Sequence, residues 1–187
     1  MESAYRPVPR TFCRAAGRCD AYPSRVFISQ YAYFGLSSLN MSAAEMTAVL
    51  GIEPDEIAVR GSRFTEPKVV PVLHRWKIVC REPGLSVDEQ VARVVARLEP
   101  YVDAIAALTR KLDAEDCQGG SSAVLEVVRM FNDEDGQDRL ASAPPELIEG
   151  PGLLGWHLGR DVLAFLHATG AALDVDEYDY TPDPTDE

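Results

Sequence analysis

The chain predicts an α+β domain: a two-layer sandwich whose mostly antiparallel or mixed sheet of about five strands carries its helices on one face. Three observations point there. Runs rich in β-branched and aromatic residues, alternating or wholly apolar, recur between residues 25 and 180. Amphipathic stretches of helical spacing lie between them, several opened by a capping box or closed by a glycine. The order strand, short helix, terminal glycine, strand occurs twice, across 25–81 and 153–180, which suggests a ferredoxin-like repeat of βαβ units.

The elements follow in order. Residues 1–24 are punctuated by Arg, Pro and Gly without periodicity and read as a flexible basic arm. SRVFISQYAYFGL is the first strand. Ser42 and Glu45 form a capping box for a helix with Met46, Val49 and Leu50 on one face, ended by Gly51. Residues 52–73, broken by three prolines and Gly61, read as a loop. HRWKIVCRE alternates His74, Trp76, Ile78 and Cys80 with Arg75, Lys77, Val79 and Arg81, so one face is packed and one wet. Ser86 and Glu89 open a second capped helix, with Val87, Val91, Val94, Val95 and Leu98 inward. Pro100 predicts a kink or a fresh helix start there. The next stripe is Val102, Ile105, Leu108 and Leu112. AVLEVVRMF is apolar on both faces, as a central strand is; residues 132–152 read as a polar loop and LLGWHLG as a short strand. Arg160 to Ala168 is a helix with Val162, Phe165 and Leu166 inward, and LDVDEYDY is the last strand. The single domain thus spans 25–180, with an acidic disordered tail over 181–187.

A chain of 187 residues, 46% hydrophobic and 26% charged, buries a core without staples. No apolar run reaches the ~18 residues of a membrane span, and the first residues lack the apolar stretch of a signal peptide. Cys13, Cys19, Cys80 and Cys117 show no paired spacing and read as inert thiols of a reducing cytoplasm. High Ala, Arg, Asp and Pro with low Lys hints at a GC-rich bacterial source. The net charge is −12, although residues 1–30 hold five arginines against two acids, so the acidic excess lies in the domain and tail. That excess repels nucleic acid and acidic membranes and attracts a basic protein.

Three chemistries compete for LDVDEYDY. An EF-hand loop fails, because Tyr178 and Thr185 stand at the fifth and twelfth places counted from Asp174. Asp174 and Asp176 share a strand face at ~6.5–7 Å, a separation compatible with a carboxylate pair but common to every i, i+2 pair on a strand. The preferred reading is an acidic edge strand, with Leu173 and Val175 inward and Asp174, Asp176, Tyr178 and Tyr180 outward, which discourages strand-to-strand aggregation. Cys80 and His74 lie ~20 Å apart along one strand and form no nucleophilic device. His157 and His167 read as structural, and Gly152, Gly155 and Gly159 do not make a dinucleotide fingerprint. No metal and no cofactor is expected.

If the helices cover one face, the other presents Phe27, Tyr31, Tyr33, Arg75, Lys77 and Arg81 beside Asp174, Asp176 and Tyr178. Such a face suits a protein partner or a homodimer. The first expectation is therefore a non-enzymatic protein-interaction module with Tyr31, Tyr33, Arg75, Lys77, Asp174, Asp176 and Tyr178 as contacts. The alternative is a small-ligand binder or enzyme joining Arg60 and Arg63, which flank Gly61, to Asp174 and Asp176.

The segment around Glu45, Met46, Leu50, Gly51, Ile52 and Pro54 carries a motif of a helix running into Leu-Gly-Ile-x-Pro. With Gly61, the Trp76 strand and the ending Gly170, Leu173, Asp174, Val175, Asp176, Tyr178, it resembles the bacterial domain-of-unknown-function family 4279 over residues 25–180. Asn40-Met41 departs from the Asp-Pro that often precedes the first helix in that family. The resemblance implies a small intracellular protein, with partner binding of immunity type as one role by analogy. It brings no catalytic residues.

Overall fold

The computed structural model describes residues 25–62, 70–115, 121–133, 146–149 and 155–181. The arm expected at 1–24, the tail beyond Thr181, and Arg63, Cys13, Cys19 and Cys117 lie outside them.

β1 (Arg25–Ser38) is the long central strand. Ser42 then caps α1 (Ala43–Leu50): its hydroxyl accepts from the Glu45 N–H while the Glu45 carboxylate accepts from the Ser42 N–H. Gly51 ends the helix at φ 71°, in the left-handed region that glycine enters freely. α1 buries Ala43, Met46 and Leu50, whereas Val49, expected on that face, stays 54% exposed. The inward stripe is set by positions three and seven after Ala43, and Val49 falls off it.

β2 (Glu56–Ala58) occupies part of the expected 52–73 loop and pairs with β3 (His74–Cys80). The box of Ser86 and Glu89 opens α2 (Val87–Leu98), which buries the expected valines and Leu98, and also Gln90. The Gln90 amide reaches the Gln30 carbonyl at 3.1 Å, tying the helix to β1. Pro100 sits in a 3-10 turn, Glu99–Tyr101, that joins α2 to α3 (Val102–Glu115). β4 (Ala123–Phe131), β5 (Glu146–Glu149), α4 (Arg160–Thr169) and β6 (Ala172–Asp179) complete the chain.

The sheet runs β2-β3-β1-β4-β6, with β5 pairing off this path against the start of β1. β1 is antiparallel to β3, β4 and β5, and β4 is parallel to β6, so the sheet is mixed and open. The fold is α+β, as expected. The ferredoxin-like repeat is not reproduced: β4-α4-β6 is a parallel crossover, but β1 and β3 on either side of α1 run antiparallel. Residues 155–159 of the expected strand LLGWHLG are irregular, and 153–154 lie outside the described residues. Trp156 and Leu158 still pack on the core, which accounts for the alternation.

One sheet face and the four helices enclose the main core, built from Ala32, Phe34 and Leu36 of β1, Trp76 and Ile78 of β3, and Leu125 and Val127 of β4. The helices lie chiefly over β1 and β3. Among the described residues no helix is long and apolar enough to cross a membrane.

Candidate functional site

On the outer sheet face the alternation places Tyr31 and Tyr33 beside Val128 and Met130, as expected. The expectation that the tyrosines meet solvent is corrected: they are 8% and 5% exposed. Long basic side chains fold back over them. The Lys77 ammonium lies 3.6 Å from the Tyr33 ring centroid and the Arg81 guanidinium 3.9 Å from that of Tyr31. The rings stack at 6.3 Å, and the Tyr33 hydroxyl donates to the Glu126 carboxylate. Burial, then that bond, pushes the Tyr33 hydroxyl far above the ordinary phenol range, and burial lowers the Lys77 ammonium. Arg81 in turn pairs with Glu56 at 2.8 Å. Arg75 is exposed at the rim of a small cleft of about 100 Å³ beside Lys77.

β6 is the last strand of the sheet, so the acidic edge was read correctly from its pattern. Its carboxylates are largely engaged. Asp174 accepts from the neighbouring Val175 N–H at 2.9 Å, and Asp176 from the Tyr178 hydroxyl at 3.2 Å. Glu177 pairs with the buried Arg129 guanidinium at 2.6 Å. Asp179 accepts from Thr181 and Asn132, which hold its carboxyl below the usual range. The Tyr180 N–H bonds back to the Phe131 carbonyl on β4, so by alternation the Val175 N–H points away from β4, to the side of β6 that no described strand pairs. Asp174 therefore blocks an edge donor with its own side chain.

Leu173 and Val175 share a face with Leu125 and Val127, as expected, but remain 41% and 38% exposed because the helices stop short of this edge. Asp174→Ala, by freeing the Val175 N–H beside them, is expected to raise concentration-dependent light scattering while stability changes by less than about 0.5 kcal/mol. Scattering equal to that of the parent chain would remove the protective role.

The structure does not join Arg60 to Asp174 and Asp176. Arg60 follows β2 and binds the Leu39 carbonyl through its guanidinium at 3.0 Å, and its N–H meets His74 Nδ1 at 3.2 Å. β2 and β6 are opposite ends of the sheet, four strand spacings or ~19 Å apart.

A groove that residue patterns did not reveal lies between α2 and α4, with a volume of about 680 Å³. Its floor is Val91, Val95, Val162 and Phe165, the outer edge of the core. Its walls are the exposed alanines 92, 96, 164 and 168. The two alanines of each helix are four residues apart, which stacks them along one line. Asp88, Glu89, Glu99 and Asp161 ring the apolar strip.

Two of these acids are occupied. Glu89 completes the α2 cap, and Asp88 meets His157 Nδ1 at 3.0 Å and its N–H at 2.9 Å, pinning the irregular 155–159 segment to the helix. Among the described residues, Glu99 and Asp161 have no side-chain partner. The α2 arginines point elsewhere: Arg93 pairs with Glu82, and Arg97 grips Asp55 through two bonds of 2.7 and 3.0 Å. The groove is thus apolar within and negative around. Ala92-x-x-x-Ala96 bracketed by Asp88 and Glu99 was readable as a stripe, but nothing local showed that α4 would lie beside it.

The chain matches the family model described as Domain of unknown function (DUF4279) over residues 28–180. No curated protein and no solved structure matches it. The chain belongs to the DUF4279 family.

Proposed function

We propose that this DUF4279 member is a non-enzymatic protein-interaction module that binds a basic partner, and that the groove between α2 and α4 is its contact surface. The observation that carries this reading is the pairing of an apolar groove, walled by exposed alanines, with Glu99 and Asp161 at its rim, which have no side-chain partner among the described residues. An apolar centre supplies affinity and a charged rim supplies choice of partner and speed of encounter. The net charge of −12 adds long-range attraction for a basic protein. Asp174, Asp176 and Tyr178 are better explained as edge protection, and Tyr31 and Tyr33 as core; Arg75 and Lys77 flank the small outer cleft and stay secondary contacts. A bacterial cytoplasm is the setting that the cysteine spacing and composition support, and an immunity-type pairing with a basic protein fits the charge.

The test is affinity capture from the host lysate at low salt and at ~0.5 M salt, comparing the parent chain with Glu99→Lys/Asp161→Lys. One basic protein is expected in stoichiometric amount, weakened by salt and lost with the double variant. Capture of the same proteins by both chains, or of none by either, refutes the reading.

A further inference from the structure

We infer that the groove between α2 and α4 takes a single amphipathic α-helix of the partner, with a ridge of small or medium apolar residues flanked on both sides by Lys or Arg. This rests on the reading of the groove as a contact surface and names what fits it. Three features specify the occupant. The groove is bounded by two helices, and its floor follows their long stripes from Asp88 to Glu99 and from Asp161 to Ala168. A helix seated between two others meets ridges at an interaxial distance of ~8–10 Å, which demands small side chains at the contact. Ala92, Ala96, Ala164 and Ala168 are those small side chains, and they are exposed.

Second, among the described residues no lining side chain carries a fixed positive charge; of these His157 alone can become cationic, and it faces Asp88. An acidic segment would leave Glu99 and Asp161 unpaired against the apolar groove, whereas basic flanks on a helix reach both sides at once. Third, α2 has 12 residues, ~18 Å of helix, so the groove holds about three turns of a partner. A second copy of this chain offers a poor occupant for the same reason that a basic one is good: its own groove is equally acidic.

The experiment uses the full chain and labelled peptides of about 18 residues, ~27 Å when helical, followed by fluorescence anisotropy and circular dichroism. One peptide has a Leu/Ala ridge with Lys/Arg flanks. One has the same composition scrambled to destroy the ridge, one has the ridge with Glu flanks, and one copies residues 1–24. The first is expected to bind and gain helicity, at least 10-fold tighter than the scrambled or Glu-flanked forms. Ala92→Glu/Ala164→Glu, both at exposed positions, is expected to weaken it at least 10-fold, with the chain's own dichroism unchanged.

Equal binding of the scrambled peptide would overturn the helix and leave only charge. Selective binding of the 1–24 peptide would make the chain's own arm the occupant, and a dimer mass abolished by Ala92→Glu/Ala164→Glu would make it a second copy; either overturns the inference. If no peptide binds while the lysate partner is still captured through Glu99 and Asp161, the helical occupant falls and the contact surface stands. If both fail, both fall.

Discussion

Trp76→Ala is expected to lower the free energy of unfolding by about 3–5 kcal/mol, the range for truncating a fully buried large aromatic. Trp76 has no exposed surface and sits at the crossing of two registers, opposite Leu36 on β1 and Ile57 on β2. Its indole N–H donates to the Thr47 hydroxyl on α1 at 3.1 Å. The ring therefore joins sheet to helix through both packing and a directed bond, and a cavity there touches both layers. Small domains hold about 5–15 kcal/mol in total, so the loss removes a large share of the reserve. Urea unfolding followed by far-ultraviolet dichroism measures it, with Thr47→Val as a control expected to cost about 1 kcal/mol. A midpoint shift worth less than 1 kcal/mol for Trp76→Ala would mean the indole does not fill a packed core.

How far the chain could be read followed the range of the forces involved. Both capping boxes, the Gly51 and Gly170 endings and the turn at Pro100 were legible because each is settled within four or five residues. The strands at β1, β3 and β4 were legible because each buries at least one face, and β6 because its apolar and acidic residues alternate with the strand period although it stays largely exposed. β2 and β5 were not: they are three and four residues long, and they exist through pairing with β3 and β1. LLGWHLG shows the converse over its described residues 155–159, where Trp156 and Leu158 are half-buried against the core in an irregular segment held by the Asp88–His157 contact.

The same division holds for function. Parity put the right residues on the outer sheet face, and it put the acids on an edge. What parity could not show is where long side chains lie once the sheet exists. Lys77 and Arg81 fold over the tyrosines, Asp174 turns back to its own strand, and an exposed aromatic face becomes a covered one. The groove escaped for a different reason: its two walls are 60 residues or more apart in sequence, and only the packing of α4 beside α2 makes them one surface.

Tyr33→Ala is the second large effect expected, a loss of about 3–5 kcal/mol, because the ring is buried against Tyr31, Val128 and Met130. Tyr33→Phe separates the hydroxyl from the ring. It leaves Glu126 without this donor in a partly buried place and is expected to cost about 1–3 kcal/mol. Alkaline titration supplies an independent readout. The folded chain holds the Tyr33 proton, and more weakly that of Tyr31, above the value of an exposed phenol, because burial opposes the phenolate and Arg81 only partly offsets it at Tyr31. The unfolded chain releases both near pH 10. Above that pH the unfolded state binds fewer protons than the folded one, so the stability these residues contribute is whole below pH ~10 and falls as pH rises beyond it. In absorbance at 295 nm the exposed tyrosines should ionise first, and these two should appear only with unfolding. Tyr33→Phe should shrink the late step by one phenol. An early, reversible ionisation of all seven tyrosines in the still-folded chain would show that the outer face is open after all, and would return Tyr33 to the list of surfaces a partner can touch.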